Sequence, residues 1–580
     1  MTTKLRVYTN EDDALLFWSI PEPITQCRGF AIERKLTHPN RRTTQTFLLN
    51  RTAFDSQPRP TVSDRGQSAI SKPSTEWPFQ RFSWTDHDAD TGDTVSYRVI
   101  PVVRQTSDLS LLESHASPWS TPRTLGSPGH SRYRAFFNRG FIMSQFMARY
   151  LAERNLTLKQ FKETISDQDD KSIRQFLAGG LRVALLAELE EARQSGGHIY
   201  AALFELSDDE LIGSLCALRD RAHLVLANGS VEAAKGEPAP KARQRDENEA
   251  ARTQLLAANV AVDKTQRFIA PGALGHNKFM IRTDAGGTPL TAWTGSTNWA
   301  PTGLCTQINN GLLINDSNVA RVYLDQWEAL RQAQNEFPKA LVSANNKPKA
   351  IGTDAPGVLR STVWFTRTQK GVDLDALREE VGKAREGILF LMFMPGLTGL
   401  FSTILTRSAE TDLYVRGVVS TLPKGQADPS ALEIGLIDGE NHTPLHLDIV
   451  QPEGMKHPFA NFAAEVTRSE FLGWQGVGHA IIHSKVLVID PFSADPVVIT
   501  GSHNFSITAS QKNDENFIIV KGDPELAEAY AVNILGVYAH YRWRAFLSQT
   551  NKPLNWLKDN DQWQSKKLST DRRELRFWGV

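Results

Sequence analysis

Two short sets of residues, some two hundred positions apart, carry the chemistry of this sequence. His276-Asn277-Lys278 is followed by Gly295-Ser296-Thr297-Asn298, and His483-Ser484-Lys485 by Gly501-Ser502-His503-Asn504. Each set offers an imidazole, an ammonium and an amide behind a Gly-Ser turn. Such a pair suits a phosphodiester, an anion that a nucleophile must approach against negative charge. Lys278 and Lys485 would neutralise the phosphoryl oxygens, and Asn298 and Asn504 would donate hydrogen bonds to them. One imidazole would attack phosphorus; the other, held protonated, would protonate the leaving oxygen and then take a proton from water. With two lysines in place, and no Asp/Glu/His cluster of two-metal spacing near the motifs, neither a metal nor a cofactor is expected.

The register continues beyond the amides. Eleven residues after Asn504 lies Glu515, and eleven after Asn298 lies Asn309, close to Gln307. A carboxylate in one half thus matches an amide in the other. On that asymmetry Glu515 is expected to hold the Nδ1–H of His483, making His483 the general acid and base. His276, with Gln307 or Asn309 nearby, would stay neutral and act as nucleophile; the reverse assignment remains open. Ser296 and Ser502 follow glycines at turns, where they can reach the site floor.

One such motif turns up readily by chance; two with the same downstream pattern do not. The sequence V-L-V-I-D after His483-Ser484-Lys485 ends on Asp490. On these residues the chain resembles the phospholipase D superfamily, with its paired H-K-D motifs, over roughly residues 130–550. The resemblance implies two α/β repeats with mixed sheets that form one pseudo-twofold catalytic unit, and a phosphohistidine intermediate. It also implies that Asp490 supports the fold, and that the first histidine is the nucleophile, as in several two-motif members. The first motif departs from the pattern: Thr283 stands where Asp490 would fall, with Asp284 one step later.

The elements around the motifs must bring them together. Ile481 to Ile489 reads as a strand, and residues two apart on a strand share a face, so His483 and Lys485 project together, as do His276 and Lys278. Helices near 174–194, 373–386 and 398–409 alternate with strands at 198–206, 223–227, 387–394 and 413–419. That rhythm predicts a mixed, largely parallel sheet in each half. Residues 127–180 read as mostly helical, with Phe136, Phe137 and Phe141 on an apolar stripe. Hydrophilic inserts at 230–256 and 421–440 are expected as mobile loops over the site. The run Leu526 to Phe546 reads as an amphipathic helix packed on the second half. Before all of this, residues 1–126 read as short strands with turns, an all-β sandwich resembling fibronectin type III domains around Gly92-Asp93 and Tyr97-Arg98-Val99. The expected domains are 1–126, 127–345 and 346–580.

Composition fits this plan. A chain of 580 residues is too long for one core. Lys+Arg and Asp+Glu are both 65, which argues against a broad non-specific nucleic-acid surface. Three scattered cysteines and an N-terminus without a signal-like apolar stretch suggest a reducing, cytoplasmic location. No run approaches the length of a membrane span, although a transient contact with a membrane surface is compatible with a lipid substrate. Both motifs lie in one chain, so no oligomer is required. The leading expectation is a phosphodiesterase acting on phospholipid head groups, by hydrolysis or transfer. A metal-independent nuclease or nucleic-acid end-processing enzyme is the alternative, and a non-catalytic anion-binding protein the third reading.

Overall fold

The computed structural model describes residues 2–54, 56–57, 71–105, 107–126, 131–140, 158–166, 171–393, 395, 399–410, 413–420, 447–450, 482–549 and 556–580. The insert expected at 421–440 lies outside these residues.

The N-terminal region is built from two antiparallel sheets. One runs Lys4–Thr9, Ala14–Ser19, Ser83–Asp86; the other runs Arg123–Thr124, Thr94–Arg104, Cys27–Thr37, Thr43–Phe47, with Leu109–Leu111 on the second of these strands. Alternating apolar residues from both, among them Phe17, Phe30, Ile32 and Val99, are buried between them. The Tyr97 hydroxyl donates to Asp86 Oδ2 at 2.8 Å and so ties one sheet to the other.

Each motif sits in its own mixed sheet. The first runs Tyr133–Phe137, Asn310–Ile314, Pro289–Gly295, Lys278–Thr283, Ile199–Leu203, Ala222–Leu226, Ala261–Val262. The second runs Lys349–Ile351, Arg360–Phe365, Asn516–Lys521, Val497–Gly501, Val486–Ile489, Gly387–Met392, Tyr414–Val419, Leu447–Val450. In both, the H-x-K strand pairs antiparallel with the G-S strand on one side and with an early strand on the other. Only the outer strands of that early edge run parallel. The sheets are therefore mixed as expected but not largely parallel. The tight turn from Thr283 to Pro289 can join only antiparallel neighbours.

Three other expectations change. Tyr133–Phe137 is a strand paired with Asn310–Ile314, not part of a helix; described helices follow at Leu158–Ser166 and Lys171–Ser195, and Phe141 lies outside the described residues. The first insert is not a free loop. It holds the helix Glu249–Ala257, and the buried Asn248 side chain donates to Phe204 O and Ala227 O and accepts from Leu206 N–H. The C-terminal helix Pro524–Gln549 is buried on nearly every side as far as Tyr541, rather than on one face. It packs on the second sheet and also reaches the strands Tyr133–Phe137 and Lys4–Thr9. Residues 556–580 then return to the sandwich. Trp563 meets Phe30 and Phe82, while Trp578 stacks on Phe17 at 4.7 Å. No helix among the described residues is long and apolar enough to cross a membrane.

Candidate active site

The halves meet at the ends of interior strands through reciprocal bonds. Thr294, just before the first Gly-Ser, donates to Asn516 Oδ1 at 2.6 Å, and Asn310 Nδ2 donates to Thr500, just before the second, at 2.8 Å. Tyr323 and Tyr530, from the helices that follow each sheet's last strand, donate to and accept from the same two asparagines. The glycines are required here: a Cβ on Gly295 would come within 2.4 Å of Asn310 O, and one on Gly501 within 2.3 Å of Asn516 O. Ser296 and Ser502 each donate their backbone N–H to those carbonyls, and their hydroxyls accept from the N–H of Asn310 and Asn516.

This contact brings the two imidazoles together. The rings of His276 and His483 lie 6.5 Å apart between centroids, steeply inclined. Both side chains are buried, as are Lys278 and Lys485. Each lysine folds back so that Nζ donates to the carbonyl of its own motif histidine.

The partners of the histidines are exchanged relative to expectation. Glu515, expected against His483, places Oε2 3.3 Å from Nδ1 of His276. Asn309, expected beside His276, accepts from Nδ1 of His483 through Oδ1 at 2.9 Å. The cause is the way the segments cross between halves. His483 and Ser484 donate their N–H groups to Ile308 O, and Asp514 donates its own to Leu274 O. The residue beside each of these carries the partner into the opposite half. Asn309 is fixed in orientation, since Nδ2 donates to Gly303 O at 2.8 Å and Oδ1 also accepts from Ser296 Oγ. Nδ1 of His483 must therefore be the donor, which leaves its Nε2 free. Gln307 is peripheral, its Oε1 3.5 Å from Asn309 Nδ2.

Three side chains were missed by the sequence reading. Phe204 and Phe393, at the ends of matching early strands, each cover a histidine and a lysine. Phe204 lies 4.8 Å from His276 and 4.9 Å from Lys278 Nζ; Phe393 lies 5.1 Å from His483 and 4.9 Å from Lys485 Nζ. The third, Glu205, accepts from Asn298 Nδ2 at 2.6 Å. Asn298 Oδ1 and Asn504 Oδ1 are buried without a hydrogen-bond partner.

The buried positive charge sets the protonation states. Burial pushes His276 down to about 4, and Lys278 adds to this against the pull of Glu515. His483 is held well below the usual range by burial and by Lys485 and Lys278. Burial alone would raise Glu515, but His276 and the Asn513 amide outweigh it and bring the carboxyl down to about 2. Lys278 is pushed down to about 7 by burial, and Lys485 well below its ordinary value by burial and Lys278. At neutral pH a neutral His276 thus faces an ionised Glu515. An entering anion would draw protons back onto the lysines.

Asp490 stands away from this chemistry. Its carboxylate accepts from the N–H groups of Arg385, Glu386 and Gly387 at 2.7–2.9 Å, which fixes the entry to the strand that leads to Phe393. Thr283 keeps only the backbone part of that link: its N–H donates to His198 O, as that of Asp490 does to Gly387 O. Asp284 instead closes the hairpin turn, accepting from Gly286 and Thr288.

Residues 435–535 match a phospholipase D-like domain. The matching family is described as "Cardiolipin synthase, PLD-like domain". The phospholipase D-like match includes His483, Lys485, Asn504 and Glu515 and leaves the first motif outside. Phospholipase D of Rickettsia conorii is 49% identical over 55 residues, covering 10% of this chain and 25% of that one. Phospholipase D of Rickettsia typhi is 45% identical over 53 residues, 9% of this chain and 24% of that one. The chain thus spans about a quarter of the length of these curated relatives. Among solved structures, phosphatidylserine synthase of Haemophilus influenzae Rd KW20 aligns at TM-score 0.40 and 12% identity, over 70% of this chain and 94% of that one. Nuc of Salmonella typhimurium, a phospholipase D family member, aligns at TM-score 0.21 and 19% identity, over 32% and 96%.

Proposed function

We propose that the chain is a two-motif phosphodiesterase of the phospholipase D superfamily, acting on phospholipid head groups by hydrolysis or transfer. The observation that carries this reading is the pair of buried imidazoles 6.5 Å apart, each with its own lysine. In this reading the two mixed sheets are one pseudo-twofold unit, supported by the reciprocal Thr294–Asn516 and Asn310–Thr500 bonds. The sandwich is a fibronectin III-like module, supported by its three-stranded sheet facing the longer one.

His276 Nε2 attacks phosphorus as the bond to the leaving oxygen breaks, and His483 Nε2–H passes its proton to that oxygen. Glu515 faces the Nδ1–H of His276 and stabilises the positive charge that develops on the ring, while Asn309 aligns His483. His483 owes its depressed basicity partly to Lys485 and Lys278. The negative charge of the substrate offsets both, so binding itself charges the general acid. In the second half-reaction His483 takes a proton from water or an alcohol. The resulting oxyanion attacks phosphorus as the P–Nε2 bond to His276 breaks, and His276 returns neutral. Lipid is the substrate class we favour, because the formal net charge is zero and the curated relatives are named phospholipase D.

The test is a parallel assay with EDTA present, on phosphatidylcholine vesicles, single-stranded DNA and bis-p-nitrophenyl phosphate. Choline or a transferred phosphatidyl group is expected, unaffected by chelation. Oligonucleotide products alone would replace lipid by nucleic acid as the substrate. Turnover that stops with EDTA and returns with a divalent ion would overturn the histidine mechanism.

A further inference from the structure

The two halves match closely around the motifs, but besides the Glu515–Asn309 and Asp490–Thr283 differences they part at the ends of the early strands. Each early strand ends on a phenylalanine that covers a His–Lys pair, but Phe204 is followed by Glu205 and Phe393 by Met394. Glu205 is half-buried and takes the Nδ2–H of Asn298, the donor that the first motif holds out for a phosphoryl oxygen. Asn298 Oδ1 has no partner, so the Glu205 carboxylate is what this amide binds. The charged groups that act on Glu205 are Lys278, Lys485 and Glu247. The two lysines are the cations expected to grip the substrate. Glu205 therefore holds the amide donor that a phosphoryl oxygen would use.

We propose that Glu205 is a specificity-determining residue that admits phosphodiester monoanions and rejects phosphomonoester dianions. This rests on the phosphodiesterase reading above. Once an anion has drawn protons onto Lys278 and Lys485, their two charges are matched by those of Glu205 and Glu515. A diester brings one negative charge, shared by two oxygens, and can turn a neutral ester oxygen toward Glu205. In-line attack takes one ester oxygen as the leaving group, which leaves a monoester at alkaline pH only charged oxygens to turn toward the carboxylate. Two like charges at hydrogen-bonding separation repel even when partly screened. Hydrolysis of a diester yields such a monoester, so the same repulsion favours release of product.

The experiment is calorimetric titration at pH 8 of wild type, Glu205→Gln and Glu205→Asp with methyl phosphate and with dimethyl phosphate. Turnover of bis-p-nitrophenyl phosphate by wild type and His276→Ala is followed alongside. Glu205→Gln should bind methyl phosphate about tenfold more tightly while dimethyl phosphate changes less than about threefold. Glu205→Asp should keep the wild-type ratio, an outcome that a purely structural role for Glu205 does not produce. Should Glu205→Gln not fold, Glu205→Ala, which frees Asn298 outright, reads the same ratio. An unchanged ratio in the folded variant, or weakened binding of both anions, overturns the assignment. If wild type turns over the diester, His276→Ala does not, and the ratio is unchanged, only the role of Glu205 fails. If wild type neither turns over the diester nor binds either anion, the phosphodiesterase reading fails with it.

Discussion

Glu515 of the second half stands 3.3 Å from Nδ1 of His276 in the first. The converse contact runs from Asn309 of the first half to His483 of the second. Each imidazole is oriented from the opposite half, so neither half alone assembles a complete nucleophile or a complete acid. The carboxylate faces one ring and the amide the other, and this is what separates their roles.

That separation predicts the pH profile. Asn309→Asp sets a carboxylate beside Nδ1 of His483 and favours its imidazolium form. The limb of the kcat/KM profile on which activity falls as the acid deprotonates should move to higher pH, by about one unit or more. Glu515→Gln acts on the other ring. Without the carboxylate the neutral form of His276 gains, so the low-pH limb should move further down. The maximal rate should drop on the order of a hundredfold, because the positive charge on the attacking ring loses its partner. Profiles of both variants on bis-p-nitrophenyl phosphate check this. The same shifts on the other limbs, with the low-pH limb rising in Asn309→Asp and the high-pH limb falling in Glu515→Gln, would reverse the two histidines.

The covalent step can be trapped. In His483→Ala nothing remains to activate the second nucleophile, so a diester whose leaving group needs little protonation should leave its phosphoryl group on His276. The label should be acid-labile, base-stable and mapped to that residue by mass spectrometry. His276→Ala should carry no label and lose on the order of a thousandfold or more in rate. Label on His483 would reverse the assignment, and no label with any activated diester would favour direct attack by water.

The sequence made the two His-Lys-Asn sets legible because their spacing repeats, and repetition survives without knowledge of the fold. The same repetition misled on the partners. A linear register assigns Glu515 to His483, whereas the bonds from His483 to Ile308 and from Asp514 to Leu274 exchange the segments between halves. Phe204 and Phe393 went unseen because an aromatic at a strand end looks like core. Tyr133 to Phe137 misread as helix because a short apolar run fits either period. The insert at 230–256 is hydrophilic, yet Asn248 and Arg252 are buried and spend their polarity on backbone carbonyls of the first sheet. Composition alone cannot distinguish such a clamp from a solvated loop.

The chain ends also cooperate in a way that only the structure displays. Trp578 is fully buried, stacks on Phe17 of the sandwich, and lies 5.0 Å from Phe492 of the second half. Its carbonyl accepts from the Tyr8 hydroxyl at 2.6 Å, and the neighbouring Phe577 stacks on Tyr414 at 4.3 Å. One indole thus joins the sandwich to the second half. Trp578→Ala removes that ring from a packed site, and large-to-small changes of this kind cost about 3–5 kcal/mol. Chemical denaturation should show an earlier transition by that amount, and limited proteolysis should release residues 1–126 sooner than in wild type. Bis-p-nitrophenyl phosphate turnover below the new transition is a separate readout. A shift below about 1 kcal/mol with unchanged proteolysis would show that the sandwich is held by other contacts, such as the Arg123–Glu528 ion pair.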